Sequence, residues 1–357
     1  MFNPRRLSLA RKRRKLTAKR FAELLGMSPV TVTRLERANN EPEPATVAAI
    51  SRVLEFPIAF FYGDDIDELS AETASFRSLS AMTAKEREAA LAAGSFAYLL
   101  SDWVSARFNL PEPAVIDLSG QRDEDAAART LRDHWGLGEQ PISNMIKLLE
   151  SKGVRVFSLA ENTKNVDAFS CWRDGIPYIF LNTFKSAEHS RFDAAHELGH
   201  LVLHRHGGPH QGGRSAEIEA NKFASCFLMP TDDLQARVRH VNTLEDIVRA
   251  KKRWGVSAAA LAYRLHKMGL ISDWNYRGFC IEMNRRNYRT KEPDGLEPEL
   301  SVVWQKVLGE LWSERTTKDH IAAELSLPAG DVDNLIFGLT GSVEPIVRGK
   351  PSLRLVS

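Results

Sequence analysis

The sequence has few cysteines, no long apolar run and no marked excess of either charge, and each shortage closes off a class of explanations. Its three cysteines, Cys171, Cys226 and Cys280, form no C-x-x-C pair and one must stay unpaired, which excludes a disulfide scaffold and a thiolate metal cluster and fits a reducing compartment. The most apolar stretch, 89–100, is interrupted by Gly94 and Ser95 and falls short of the roughly 18 apolar residues that a membrane span needs. The first residues are rich in arginine and lysine, with no apolar core and small-residue cleavage site behind them. No secretory signal is legible, and a cytoplasmic protein with no membrane partner is expected. What remains is an ordinary core-forming composition, 43% hydrophobic and 26% charged over 357 residues, enough chain for two or three domains.

The net charge of +2 hides an asymmetry. Residues 1–60 hold 12 Lys and Arg against 5 Glu, a net of +7, and leave the remainder at −5. A basic end joined to an acidic body implies that the first part alone meets phosphate. Within it, Leu7, Ala10, Leu16, Phe21, Leu24, Leu25, Val32, Leu35, Val47, Ile50, Val53 and Leu54 recur at helical intervals, which predicts a bundle of four or five short helices. Thr17 is placed to cap a helix running to Leu25, and Gly26 supplies a turn. Ser28 caps the next helix, with Pro29 at its first position, where a missing amide hydrogen costs nothing. Two short helices about a glycine turn form a helix-turn-helix, whose second helix presents its N-terminal residues to the major groove. Ser28, Val30, Thr31, Thr33 and Arg34 are therefore the expected DNA-contacting residues, Arg34 suiting guanine and Val30 or a Thr methyl suiting thymine.

The stretch LTAKRFAELLGMSPVTVTRLERANNEPEPATVAAISRVL resembles the lambda-repressor-like, or XRE, helix-turn-helix family. The resemblance implies double-stranded operator DNA as partner, a homodimer matched to paired half-sites, and Arg11 to Lys15 turned toward the DNA backbone. Past Asp65, residues 66–120 are Ala-rich and read as a helical linker without chemistry of its own.

Farther on, a helix ending at Gly136 or Gly138 and another over Ile142 to Ser151 precede short strands beginning at Val154, Asp167 and Pro177. Then comes SRFDAAHELGHLVLHRH, a long helix whose apolar stripe is Phe192, Ala195, Leu198, Leu201 and Val202. On it His196, Glu197 and His200 form H-E-x-x-H. Residues four apart share a face, so both imidazoles reach one zinc ion, and Glu197 sits beside the remaining coordination position as general base toward a water there. For the third ligand, His206 stands ten residues after His196, but the glycine this arrangement needs at the seventh position is replaced by Leu203. His206 is disfavoured, and Met229 is no Met-turn. The next helix, SAEIEANKFASCFLMP, offers Glu217 or Glu219, about 200° apart around the axis. Glu217 is preferred because Asn221 then lies one turn along, where it can hold the outer nitrogen of a ligand histidine. His204, one turn beyond His200, is expected to pack at the helix end, with support of the site or contact with substrate as the alternative; Tyr178 and Tyr263 are candidates for polarising a carbonyl, and Cys226 is expected in the core.

RFDAAHELGHLVLHR, AEIEANKFASCFLMP and RWGVSAAALAYRLHKMGLIS together resemble the ImmA/IrrE family of zinc metallopeptidases. That resemblance implies a cytoplasmic endopeptidase of gluzincin type that cleaves a helix-turn-helix repressor and derepresses mobile-element, stress or phage-defence genes. The competing reading is a non-proteolytic DNA-binding repressor or antitoxin with a structural or vestigial zinc site. Residues 275–301, polar and basic, read as a loop or linker, and TTKDHIAAELSLPAGDVDNLIFGLTG as a helical pair whose acids disfavour phosphate. The expected architecture is mainly α with a small β-sheet (α+β): an all-α helix-turn-helix domain over 1–65, the linker, a zincin-like metallopeptidase domain over 121–275, and a small helical accessory region over 276–357.

Overall fold

A computed structural model describes residues 1–37, 41–70, 82–159, 168–205 and 213–341. The chain begins with α1 (Pro4–Arg13), α2 (Ala18–Leu25), α3 (Pro29–Glu36), α4 (Pro44–Leu54) and a 3-10 turn, Ile58–Tyr62. Thr17 and Ser28 cap α2 and α3 through their side-chain oxygens, each such cap being worth ~1 kcal/mol. Gly26 takes the left-handed conformation, φ 67°, that the turn between them requires. Leu7, Phe21, Val32 and Ile50 close the core of this bundle.

Next is α5 (Ala84–Ser105), opened by a Thr83/Glu86 capping box. It is apolar around most of its circumference, which is the pattern of a helix buried on several sides. Phe96 packs against Phe56 and Phe60 of the N-terminal bundle, with ring centroids 5.7 and 5.8 Å apart, while Tyr98 packs edge-on to Tyr178 of the sheet at 4.9 Å. The helix is thus a shared core element of both parts. The expectation of a helical segment to residue 120 fails beyond it: 106–123 form no helix, because Pro111 and Pro113 remove amide donors and restrict the residues before them.

Then follow α6 (Glu124–His134), α7 (Met145–Ser151), β1 (Arg155–Ser158), β2 (Ala168–Arg173), β3 (Ile176–Leu181), α8 (Ala187–Leu203) and α9 (Arg214–Leu228). The strands form one sheet in the order β1-β3-β2, with β1 parallel and β2 antiparallel to β3. Asp174 and Gly175, at φ 50° and 78°, make the two-residue turn between β2 and β3, as a right-twisted hairpin demands. The sheet carries α8 on one face. Glu188 and Arg191, both buried on α8, fasten its first turns: Glu188 accepts from Leu296 N and lies 3.6 Å from Lys251, and Arg191 pairs with Glu299.

The rest is helical: α10 (Thr231–Arg237), α11 (Leu244–Lys251), α12 (Ala258–Lys267), α13 (Asp273–Arg285), α14 (Val302–Ser313), α15 (Lys318–Glu324) and α16 (Ala329–Ile336). Residues 275–285, read as loop from their polarity, are helix. Ser272 caps α13, and Phe279 and Met283, four apart, bury one face of it. The mainly α fold with one small mixed sheet matches the sequence reading. A further surprise lies at α16, where the buried Asp331 receives Arg13 at 2.7 Å and Arg14 at 2.9 Å from α1.

Candidate metal centre and DNA-reading helix

The centre is built where α8 and α9 touch. Gly199 faces Ala220 and Phe223; a Cβ at Gly199 would stand 3.2 Å from Ala220 Cα and 3.0 Å from the Phe223 ring. That close approach, open only to glycine without displacement, brings Glu217 over the two histidines. His196 Nε2 and His200 Nε2 are 3.0 Å apart, and Glu217 reaches them at 3.4 and 3.5 Å. Three donors about 2.0 to 2.1 Å from a tetrahedral cation stand about 3.3 Å from one another, so the spacing fits such an ion without rearrangement. His196, His200 and Glu217 are the one group of metal-ligating side chains found among the described residues, and no fourth His, Cys, Asp or Glu joins them.

Electrostatics agree with the geometry. Burial pushes the Glu217 carboxyl upward, but the hydrogen bonds and charges of His196 and His200 outweigh it and hold the group well below the usual carboxylate range. His196 shows the converse: burial opposes its charge, yet Glu217 and Glu197 raise it above its ordinary value. The site therefore gathers negative charge for a cation.

The outer nitrogens are also occupied. His196 Nδ1 lies 3.2 Å from Asn221 Oδ1, the pairing that the four-residue spacing from Glu217 suggested. His200 Nδ1 lies 3.0 Å from His204 Nδ1, and His204 Nε2 lies 3.0 Å from Glu219, which also accepts from Ser215 Oγ at 2.7 Å. His204, expected to pack at the end of α8 in preference to a role beside the site, thus touches a metal-site histidine. Glu219 is drawn away to His204 and is absent from the metal group.

Glu197 is turned about 100° from His196 around α8, toward the sheet. It is 2% exposed, and Ser170 of β2 donates to its carboxylate at 2.7 Å. Sequence reasoning missed Ser170, because only the register of β2 across α8 reveals it. Cys171, its neighbour, bonds Tyr98, and burial pushes its thiol up to about 12; Cys226, in the core as expected, is likewise pushed up to about 12.

The tyrosine candidates do not join the centre. Tyr178 is fully buried against α5 and donates to Ser101 at 3.1 Å, since its strand position faces the sheet's inner layer. Tyr263 is 47% exposed on α12, beside Tyr276 and Lys267. Met229 is buried, and His206 lies outside the described residues.

At the other end, the first turn of α3 is open. Ser28, Val30, Thr31 and Arg34 are exposed and Thr33 is half-buried. Their three hydroxyls are used internally: Ser28 Oγ accepts from Thr31 N and lies 2.9 Å from Thr31 Oγ1, and Thr33 donates to Pro29 O. Val30, 60% exposed, and Arg34 leave their side chains open to solvent. The basic run before α2 is different from expectation. Arg11 is bound to Glu36 at 2.6 Å, Arg13 and Arg14 to Asp331, and Lys12 lies 3.8 Å from Glu68. Arg13 and Arg14 fasten the bundle to the rest of the chain through Asp331, an acid from a distant segment invisible to local charge counting, whereas Arg11 is held within the bundle by Glu36.

Family comparisons agree with this division. Residues 7–61 match the helix-turn-helix family and residues 149–266 match the IrrE N-terminal-like domain of the M78 peptidases. No curated protein matches the chain as a relative. No helix among the described residues is long and apolar enough to cross a membrane. The chain therefore joins an XRE-type helix-turn-helix domain, a DNA-binding module, to an IrrE N-terminal-like domain of the M78 peptidase family with a His-His-Glu group able to hold a metal ion.

Proposed function

We propose that the protein is a cytoplasmic transcriptional regulator that binds operator DNA, as a homodimer, through Val30 and Arg34, and acts as a zinc endopeptidase on a helix-turn-helix repressor. The observation that carries the enzymatic half is the convergence of two imidazoles and one carboxylate at 3.0 to 3.5 Å while Glu197, in the same motif, stays outside the ligand group. Two imidazole nitrogens and one carboxylate oxygen are the donor set of hydrolytic zinc sites, whereas a structural site closes all four positions with protein atoms. When bound, zinc supplies Lewis-acid activation of water and of the scissile carbonyl.

The chain's own residues do the rest. Asn221 and His204 fix the rings of His196 and His200, so that Nε2 of each points inward. Ser170 holds the Glu197 carboxylate in one rotamer, in which Glu197 takes a proton from the attacking water and returns it to the leaving amine. The competing repressor or antitoxin reading gives Glu197 no task. Coexpression of the wild type and Glu197→Gln with helix-turn-helix repressors encoded beside the gene tests the proposal by mass spectrometry. Cleavage by the wild type alone supports it; intact repressors with both forms, at one zinc per chain, overturn it.

A further inference from the structure

A cavity of about 570 Å³ opens between α8, α12 and α13. Its α8 wall is His189 and Phe192, seven and four positions before His196. At 1.5 Å rise and 100° per residue, these lie about 10 and 6 Å along the axis from His196 and on the same side of the helix. The cavity therefore continues the metal-facing surface of α8 toward its N-terminus.

The lining indicates what it receives. Phe192, Tyr276, Cys280 and Met283 give an apolar, polarisable wall, Ala259 and Ala260 at the start of α12 leave the opposite side hollow, and Ser257, Asn284, Arg289 and Thr290 add a polar border. The acids bordering it are already committed. Glu188 serves Lys251 and Leu296 N, and Glu292 serves Lys251 and Ala258 N, so neither is left to select a cationic group. The Tyr276 ring is backed by His266, on which it stacks at 4.4 Å, and His266 bonds Asp273 at 2.5 Å. A preformed, largely apolar hollow with a few polar groups at its border is the usual form of a side-chain specificity site.

We infer that this cavity is the specificity pocket of the metal centre, taking a bulky apolar side chain of the polypeptide substrate next to the scissile bond; the inference rests on the peptidase reading above. Its test needs no turnover. Zinc-loaded protein is titrated with acetohydroxamic acid and with 3-phenylpropanohydroxamic acid, which share the metal-binding group and differ by an arylalkyl arm. The aryl compound binds tighter by about tenfold or more. Filling the hollow with Ala259→Trp, an exposed position, or with Cys280→Phe brings the ratio near unity, while Trp274→Ala on the outer face of α13 keeps it. Zinc content, read alongside, reports on the fold. Equal binding of both compounds by the parent protein, or a ratio that survives both fillings, overturns the pocket and leaves the peptidase reading standing. Failure of both compounds to bind overturns that reading and the pocket with it.

Discussion

Replacing His204 by Ala tests how the metal site is held. With a cation on Nε2 of His200, Nδ1 must carry the proton, so His204 Nδ1 accepts it and His204 Nε2 donates to Glu219. The observed 3.0 Å separations at both links fit this single arrangement of protons. Burial also holds His204 below its ordinary value, against the pull of Glu219, so the neutral ring that the arrangement requires is the favoured one. Loss of such an outer partner lowers metal affinity by about 10- to 100-fold, or about 1.4 to 2.7 kcal/mol. His204→Ala should fall in that range and His204→Gln, which keeps an acceptor, should recover part of it. Glu219→Ala removes only the far link and should cost less than His204→Ala; Glu217→Ala removes a ligand and should cost the most. The assay is competition for zinc with a chromophoric chelator, with circular dichroism to monitor the fold. Affinity unchanged in His204→Ala would refute the relay, and a loss in Glu219→Ala equal to that in Glu217→Ala would refute the ligand assignment.

Other outcomes follow from the same contacts. Ser170→Ala should lower kcat by about tenfold while leaving zinc content unchanged, measured on whichever repressor is cleaved. Arg34→Ala should weaken operator binding by about 1 to 3 kcal/mol, whereas Arg13→Ala, whose partner is Asp331, should lower the thermal midpoint with little change in the salt dependence of DNA binding. Asp233 supplies a pH test: burial raises its carboxyl, but hydrogen bonds from Arg253 and Trp254 outweigh this and hold it below its ordinary 3.8. A depressed acid stabilises the fold above its unfolded value and loses that contribution as pH falls through the folded one. Acid unfolding of Asp233→Asn should therefore be shallower below pH ~4 than that of the parent.

The metal group was legible because its rules are local. Two histidines four apart must share a helix face, and Glu217 with Asn221 four apart must share the next. The caps Thr17 and Ser28 and the Asp174-Gly175 turn are similarly short-range. What the sequence concealed depends on pairing across the chain. Ser170 meets Glu197 only once β2 lies against α8, and Asp331 meets Arg13 and Arg14 only once α16 folds back onto α1. The family resemblance turned those arginines toward the DNA backbone, where the structure pairs both with Asp331. Polarity likewise disguised α13, whose register rests on just Phe279 and Met283, and average alanine content overextended the helix that the prolines at 111 and 113 forbid.

The most direct measurement is anomalous diffraction at the zinc edge from crystals of the zinc-loaded protein. The account predicts one peak per chain, about 2 Å from His196 Nε2, His200 Nε2 and a Glu217 oxygen, with no fourth protein atom within bonding distance. A peak coordinated by Glu219, or one enclosed by four protein ligands, would contradict it.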